Sequence, residues 1–137
     1  MSTFGAIGIS STGLTVHRKW LDAVSDNLSN LNTVRGTDEA AFQAKYVVAE
    51  AAGYGTGTES GAGVRVRGIE LGSAEGRLVY EPNHPLADAE GYVRYPDIDM
   101  SSQMTQLIMA QRGYQANAAV VDRAKESYQA ALQIGRS

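Results

Sequence analysis

The chain contains no cysteine, which excludes disulfides, thiol nucleophiles and thiolate metal sites. That absence leaves the compartment open, because a cysteine-free chain tolerates reducing and oxidising surroundings alike. Proline is scarce, and its three occurrences, Pro82, Pro85 and Pro96, are confined to one stretch. There is no excess of positive charge: the net charge is −3, so the footprint of a nucleic-acid binder is missing. No apolar run approaches the roughly 20 residues of a membrane helix, and direct membrane insertion is not expected. The N-terminus lacks a basic region followed by a continuous apolar core, so no cleaved signal peptide is expected. The protein either stays in the cytoplasm or leaves by a route that needs no such signal. At 137 residues, one cooperative unit is expected.

What is present is periodicity. Residues 99–134 contain no proline and one glycine, Gly113, and large residues recur there every seven positions: Met100, Leu107, Tyr114, Val121 and Tyr128. Met104, Ala110, Ala118, Ala124, Ala131 and Leu132 fill the intermediate helical spacings. This is a narrow apolar stripe on one long helix, the pattern of a coiled-coil seam. At 1.5 Å per residue the helix is roughly 50 Å long. A compact domain of this length is only about 30 Å across, so the helix projects and its stripe needs a partner. Ile7, Leu14, Leu21 and Leu28 supply one, with the same period, and Val24 and Leu31 lie on the intermediate line. Ser10 and His17 share that line and weaken it. The economical arrangement is an antiparallel pair of terminal helices with the middle of the chain inserted at one end.

The expected fold is therefore mainly α with a small β region. Residues 1–33 and 97–137 form a helical coiled-coil domain, and residues 34–96 an inserted β-hairpin and extended segment. The first turns, rich in Gly, Ser and Thr, are helical only when packed against something. Asn30, Asn32 and Thr33, then Gly36, end the first helix. The closely spaced Asn27, Asn30 and Asn32 belong either to a frayed helix end or to amides that bond the backbone of neighbouring subunits. Residues 37–52 contain a short strand, or a helical turn leading into one. Residues 53–63, with five glycines, form a flexible loop. Residues 64–71 alternate as a half-buried strand, residues 77–80 form another, and the two read as a β-hairpin that leans on the helices or on another subunit. Pro82-Asn83-His84-Pro85 is a rigid elbow, residues 87–91 a turn, and residues 92–95 extended. Asp97 or Asp99 caps the long helix.

Candidates for chemistry are few. His84 with Glu81, Asp88 and Glu90 has the composition of a metal site, but Asp88-Ala89-Glu90-Gly91 is a fragment of a calcium loop without its distal glutamate. A structural elbow is the preferred reading, and no metal is assigned. His17 lies on a helical stripe, where it reads as an interface residue rather than a base. The glycines near residues 61–63 lack the Lys-Ser/Thr of a phosphate loop. With no nucleophile, cofactor site or small-molecule site standing out, the residues describe a non-enzymatic assembly protein. Its helix-pair and assembly surface is Ile7, Leu14, Leu21, Val24, Leu28, Leu31, Met100, Met104, Leu107, Tyr114, Asn117, Ala118, Val121, Tyr128 and Leu132. Rival readings are a cytoplasmic helical adaptor that forms a closed dimer, and a small hydrolase or metal enzyme built on His84.

Several stretches resemble a known family. Ser11-Thr12-Gly13-Leu14, followed by Asn27-Leu28-Ser29-Asn30-Leu31-Asn32-Thr33, is similar to the signature of flagellar rod and hook proteins. Residues 80–96 resemble a segment of the proximal rod type, with Tyr80, Pro82, His84, Pro85, Gly91, Tyr92 and Pro96 at the matching positions. Arg112-Gly113-Tyr114-Gln115-Ala116-Asn117 resembles the family's R-x-Y-x-A-N. The sequence departs at Gln103-Met104, where the family usually has Glu-Met, and at residues 28–31, where Leu28-Ser29-Asn30-Leu31 replaces Ile-Ala-Asn-Ala.

The resemblance implies a structural subunit of the basal-body rod, a hollow shaft around an export channel, with terminal helices on the inner wall and the hairpin region outside. It implies passage through the flagellar type III export apparatus without a cleaved signal, and assembly in the periplasm. The implied neighbours are copies of itself, other rod proteins and the hook–basal-body adaptor at the rod base. Another flagellar rod protein is the nearest alternative within the family.

Overall fold

The computed structural model describes residues 3–53 and 61–136. The order is α1 (Thr3–Ser29), β1 (Lys45–Ala51), β2 (Val64–Leu71), β3 (Arg77–Tyr80), β4 (Tyr92–Tyr95) and α2 (Met100–Arg136). The fold is mainly helical with a small β region. The residues of the expected loop at 54–60 lie outside the described residues.

Asp99 starts α2: its Oδ2 accepts the Ser102 N–H at 2.8 Å, satisfying one of the orphan amides of the first turn. With 37 residues α2 is about 55 Å long. At the same end of the pair, α1 stops where Asn30 turns its amide back onto the Asp26 carbonyl at 2.9 Å and accepts the Thr33 hydroxyl at 3.1 Å.

The helices run antiparallel, because early residues of α1 meet late residues of α2. The Phe4 and Tyr128 rings pack edge-on with centroids 5.2 Å apart. Gly13 faces Asn117, and His17 faces Gly113. Trp20 Nε1–H donates to Gln106 Oε1 at 3.2 Å, and Asn27 Nδ2 donates to Gln103 Oε1 at 3.1 Å.

The expected hairpin between residues 64–71 and 77–80 does not form. There are two separate antiparallel pairs, β1 with β2 and β3 with β4. The reason lies in residues 72–76. Rather than closing a turn, this segment runs alongside residues 41–44: the Gly72 N–H donates to Ala44 O at 2.7 Å, and Ala74 O accepts the Ala41 N–H at 2.8 Å. Gly76 has φ +59°, and a Cβ there would lie 2.1 Å from the Tyr95 carbonyl, so the chain enters β3 against β4 by a path closed to other residues. Between Val48 and Ala49 the register shifts, leaving Arg67 of β2 as the extra residue.

Beside β4, Arg94 fastens three segments. Its backbone exchanges two 2.9 Å hydrogen bonds with Arg35, and its guanidinium donates to the carbonyls of Thr37 and Glu75. The side chains this packing buries are small. Val24, Val93, Asn27 and Pro96 are the largest that are fully enclosed, with Ala41, Ala44 and Ala110 around them.

Candidate assembly interface

The helix seam is built from small and polar residues. The α1 residues that contact α2, Gly13, His17, Trp20 and Asn27, lie on two lines of a heptad that also carry Ser10 and Val24. On α2 the matching positions are Gln103, Gln106, Ala110, Gly113 and Asn117. The large residues recurring every seven positions lie one place to the side. Val24 is the exception, at 1% exposure. The lines Ser10–His17–Val24 and Gln103–Ala110–Asn117 are the ones the partner helix covers, including Ser10 and His17, which weaken the first line as an apolar pattern.

Two glycines permit the close approach, in a reciprocal arrangement. His17 Nδ1–H donates to Gly13 O at 2.8 Å and its ring lies over Gly113 of the other helix. Asn117 Nδ2 donates to Gly113 O at 2.8 Å and its amide lies over Gly13. An added Cβ would stand 2.1 Å from His17 Nε2 at Gly113, and 2.6 Å from Asn117 Oδ1 at Gly13.

In an antiparallel pair, equivalent flanks of the two helices fall on the same side of the seam. Ile7, Leu14, Leu21 and Leu28 therefore share one side with Leu107, Tyr114, Val121 and Tyr128. The β1–β2 sheet rests on the opposite flank of α1, where Val16, Trp20, Val47, Ala49 and Val64 line a cleft. On the side away from the sheet the leucines of α1, Leu107 and Val121 are half-buried, while Met100, Met104, Tyr114 and Tyr128 are exposed. Leu31, Ala118 and Asn117 are half-buried, and Leu132 is exposed. The result is a long apolar face that the chain's own residues cover only in part.

The motif residues divide between tasks. Asn27 is buried, and its amide bonds Lys45 and Gln103 within the chain, so it belongs neither to a frayed end nor to a neighbour's backbone. Asn30 and Thr33 close the end of α1, while Asn32 is exposed. Tyr80 and Tyr92 face each other across the strand pair, ring centroids 5.4 Å apart, and with Leu78 form an exposed patch. Gly91 is buried at φ +86°, against the Tyr80 ring and Pro82. Pro82, Pro85 and Arg112 are exposed, and Pro96 is buried.

At the elbow the ionisable groups each serve their own loop. His84 Nδ1 accepts the Leu86 N–H at 3.1 Å. The Asp88 carboxylate accepts the Tyr92 N–H at 2.8 Å and the Glu90 N–H at 3.1 Å, and the first of these holds it below the usual carboxylate range. Glu81 accepts the Tyr95 hydroxyl at 3.0 Å, which raises the Tyr95 pKa above its ordinary value. Among the described residues no three metal-ligating side chains converge.

Residues 89–134, from the turn before β4 through nearly all of α2, match the family described as flagellar basal body rod FlgEFG protein C-terminal. That segment is similar to the C-terminal part of flagellar basal-body rod proteins, the class that the whole-chain relatives show. The whole chain narrows the match. It is 38% identical over 136 residues to the flagellar basal-body rod protein FlgC of Yersinia enterocolitica, spanning 99% of this chain and 100% of the relative. The corresponding proteins of Salmonella typhimurium and Bacillus subtilis are 35% and 32% identical over 139 and 151 residues, again across 99% of this chain and 100% of each relative. The chain belongs to the flagellar basal-body rod protein FlgC family and is a structural component of the basal-body rod.

Proposed function

We propose that this chain polymerises with itself and with other rod proteins into the proximal part of a hollow drive shaft. One observation carries the proposal: the buried side chains are small, while the heptad lines of large apolar residues on the two helices lie on one side of the seam and are covered only in part. A contiguous apolar face of this kind marks a protein interaction surface. Neighbouring subunits cover it through head-to-tail contacts that repeat around a tube.

In this proposal residues 1–33 and 97–137 form the inner, coiled-coil domain, and residues 34–96 the outer layer with the Tyr80–Tyr92 patch. The chain passes through the flagellar type III export apparatus without a cleaved signal and orders its helices on assembly in the periplasm. It meets the hook–basal-body adaptor at the rod base. The assembly residues are the apolar line on each helix, and the molecule acts by packing and load-bearing, not by catalysis.

Leu107→Asp and Tyr114→Ala test it. Both side chains lie off the seam, so the variants remain soluble and are made at normal levels. Rods fail to assemble and swimming is lost. Normal rods and motility in both variants contradict the proposal. Recovery of the unaltered protein only as a closed cytoplasmic dimer supports the adaptor alternative instead.

A further inference from the structure

A buried amide joins the β1–β2 sheet to the helix pair. Asn27 uses its side chain as a peptide group would. Its Oδ1 accepts the Lys45 N–H at 2.8 Å, and its Nδ2 donates to the Lys45 carbonyl at 2.9 Å and to Gln103 Oε1 at 3.1 Å. Lys45 is the first residue of β1, Asn27 lies in the last turns of α1, and Gln103 lies in the first turn of α2. Three elements thus meet at a side chain only 1% exposed, and Gln103 is 2% exposed. Lys45 Nζ adds an ion pair to Asp26, the neighbour of Asn27.

Farther along the sheet the contact is looser. A largely apolar cleft of about 320 Å³ lies between Val16, His17 and Trp20 on one side and Val47, Ala49 and Val64 on the other. Beyond it an exposed hydrogen bond of 3.1 Å, from the Val64 N–H to Thr12 Oγ1, ties β2 to α1. Among the described residues, the buried, fully bonded attachment is the one at Asn27.

We propose that Asn27 is the positioning residue that fixes the direction of the β1–β2 sheet relative to the helix pair, with Gln103 as its support. Without it the sheet swings about the cleft while α1 and α2 stay paired through Gly13–Asn117, His17–Gly113 and Trp20–Gln106. Resting on the rod assignment, this makes Asn27 the point where load passes between the sheet and the helices. Asn27→Leu keeps the volume and removes all three hydrogen bonds, leaving the half-buried backbone groups of Lys45 and the buried Gln103 amide without this partner. Asn27→Asp keeps an acceptor for the Lys45 N–H and loses the donor to the Lys45 carbonyl.

The absence of native cysteine allows specific spin labelling. One pair of labels, at Arg67→Cys and Gln115→Cys, spans sheet and helix; a second, at Ser11→Cys and Ala119→Cys, spans the helix pair. Distance distributions are read in purified basal bodies with labelled subunits diluted by unlabelled ones. Asn27→Leu broadens the sheet–helix distribution by about twofold or more and leaves the helix–helix width unchanged, and Asn27→Asp is intermediate. An unchanged sheet–helix width overturns the proposal. So does equal broadening of both pairs, which makes Asn27 a residue of the helix seam alone. If the rod assignment itself fails, the labelled parent is missing from basal bodies; the same two pairs are then read on the full-length chain in solution, against the same outcomes.

Discussion

At the scale of single residues, the same substitution has opposite consequences at different glycines. Gly8 sits in α1 with open space where a Cβ would go. Gly8→Ala stabilises the helix by about 0.5–1 kcal/mol, because alanine loses less backbone freedom on folding. At Gly113 the methyl group meets the His17 ring. Gly113→Ala forces the helices apart and costs about 1–3 kcal/mol of packing, more than the propensity gain returns. The check is the denaturant midpoint for loss of subunits from purified rods, which rises for the first variant and falls for the second. A second prediction concerns Asp88, whose carboxylate is held in its charged form by the Tyr92 N–H. A depressed folded pKa stabilises the turn fully above the ordinary aspartate value near 4, and the effect is lost as pH falls through the lower folded value. Exchange protection of the Tyr92 amide is therefore constant near neutrality and declines below about pH 4; in Asp88→Asn that decline is absent. The seam roles of His17 and Gln103 are not legible in the sequence. A histidine or glutamine on an apolar stripe weakens the stripe as a pattern, yet a seam this close is made of side chains that bond backbone and one another.

At the scale of elements, the two long helices, their antiparallel sense and the β character of the middle were legible, because period seven and strict alternation are local signals. The flank on which the partner helix lies was not. Hydrophobic periodicity finds the most apolar face of a helix, and here that face is offset from Gly13, Ala110 and Gly113, where the helices approach. The strand pairing between residues 64 and 80 is not legible in the sequence for a related reason. Gly72 and Gly76 look like turn residues, but their roles depend on Ala44 and Tyr95, which are distant in sequence. An aspartate cap was legible, though Asp97 and Asp99 were equivalent in sequence; the structure selects Asp99, which yields a prediction. Asp99→Ala removes the acceptor of the Ser102 N–H and costs about 0.5–2 kcal/mol, whereas Asp99→Asn keeps most of it. Amide exchange across residues 100–104 accelerates in the alanine variant and stays near the parent rate in the asparagine one. Equal exchange in parent and alanine variant contradicts this role for Asp99.

At the scale of the whole molecule, packing is inverted relative to an isolated globular domain. Val24, Val93 and several alanines fill the inside, while Tyr114, Tyr128, Met100, Leu78 and Tyr80 remain at the surface. A subunit of a polymer gains from this division, since the large side chains contribute their burial only when a neighbour arrives. Membership of the rod family and the placement of both heptad lines on one side of the helix pair point the same way. The sheet on the opposite flank and the Tyr80–Tyr92 patch give each subunit a second surface of different chemistry.

The most direct test of this account is photo-cross-linking in intact basal bodies, with a photoreactive residue at position 107 on the apolar helix face and, separately, at position 80 on β3. The account predicts adducts to rod subunits from both positions, with different neighbours captured by each, because the two lie on separate surfaces. A protein that yields no rod adducts from position 107 and is recovered as a closed dimer outside the basal body contradicts it.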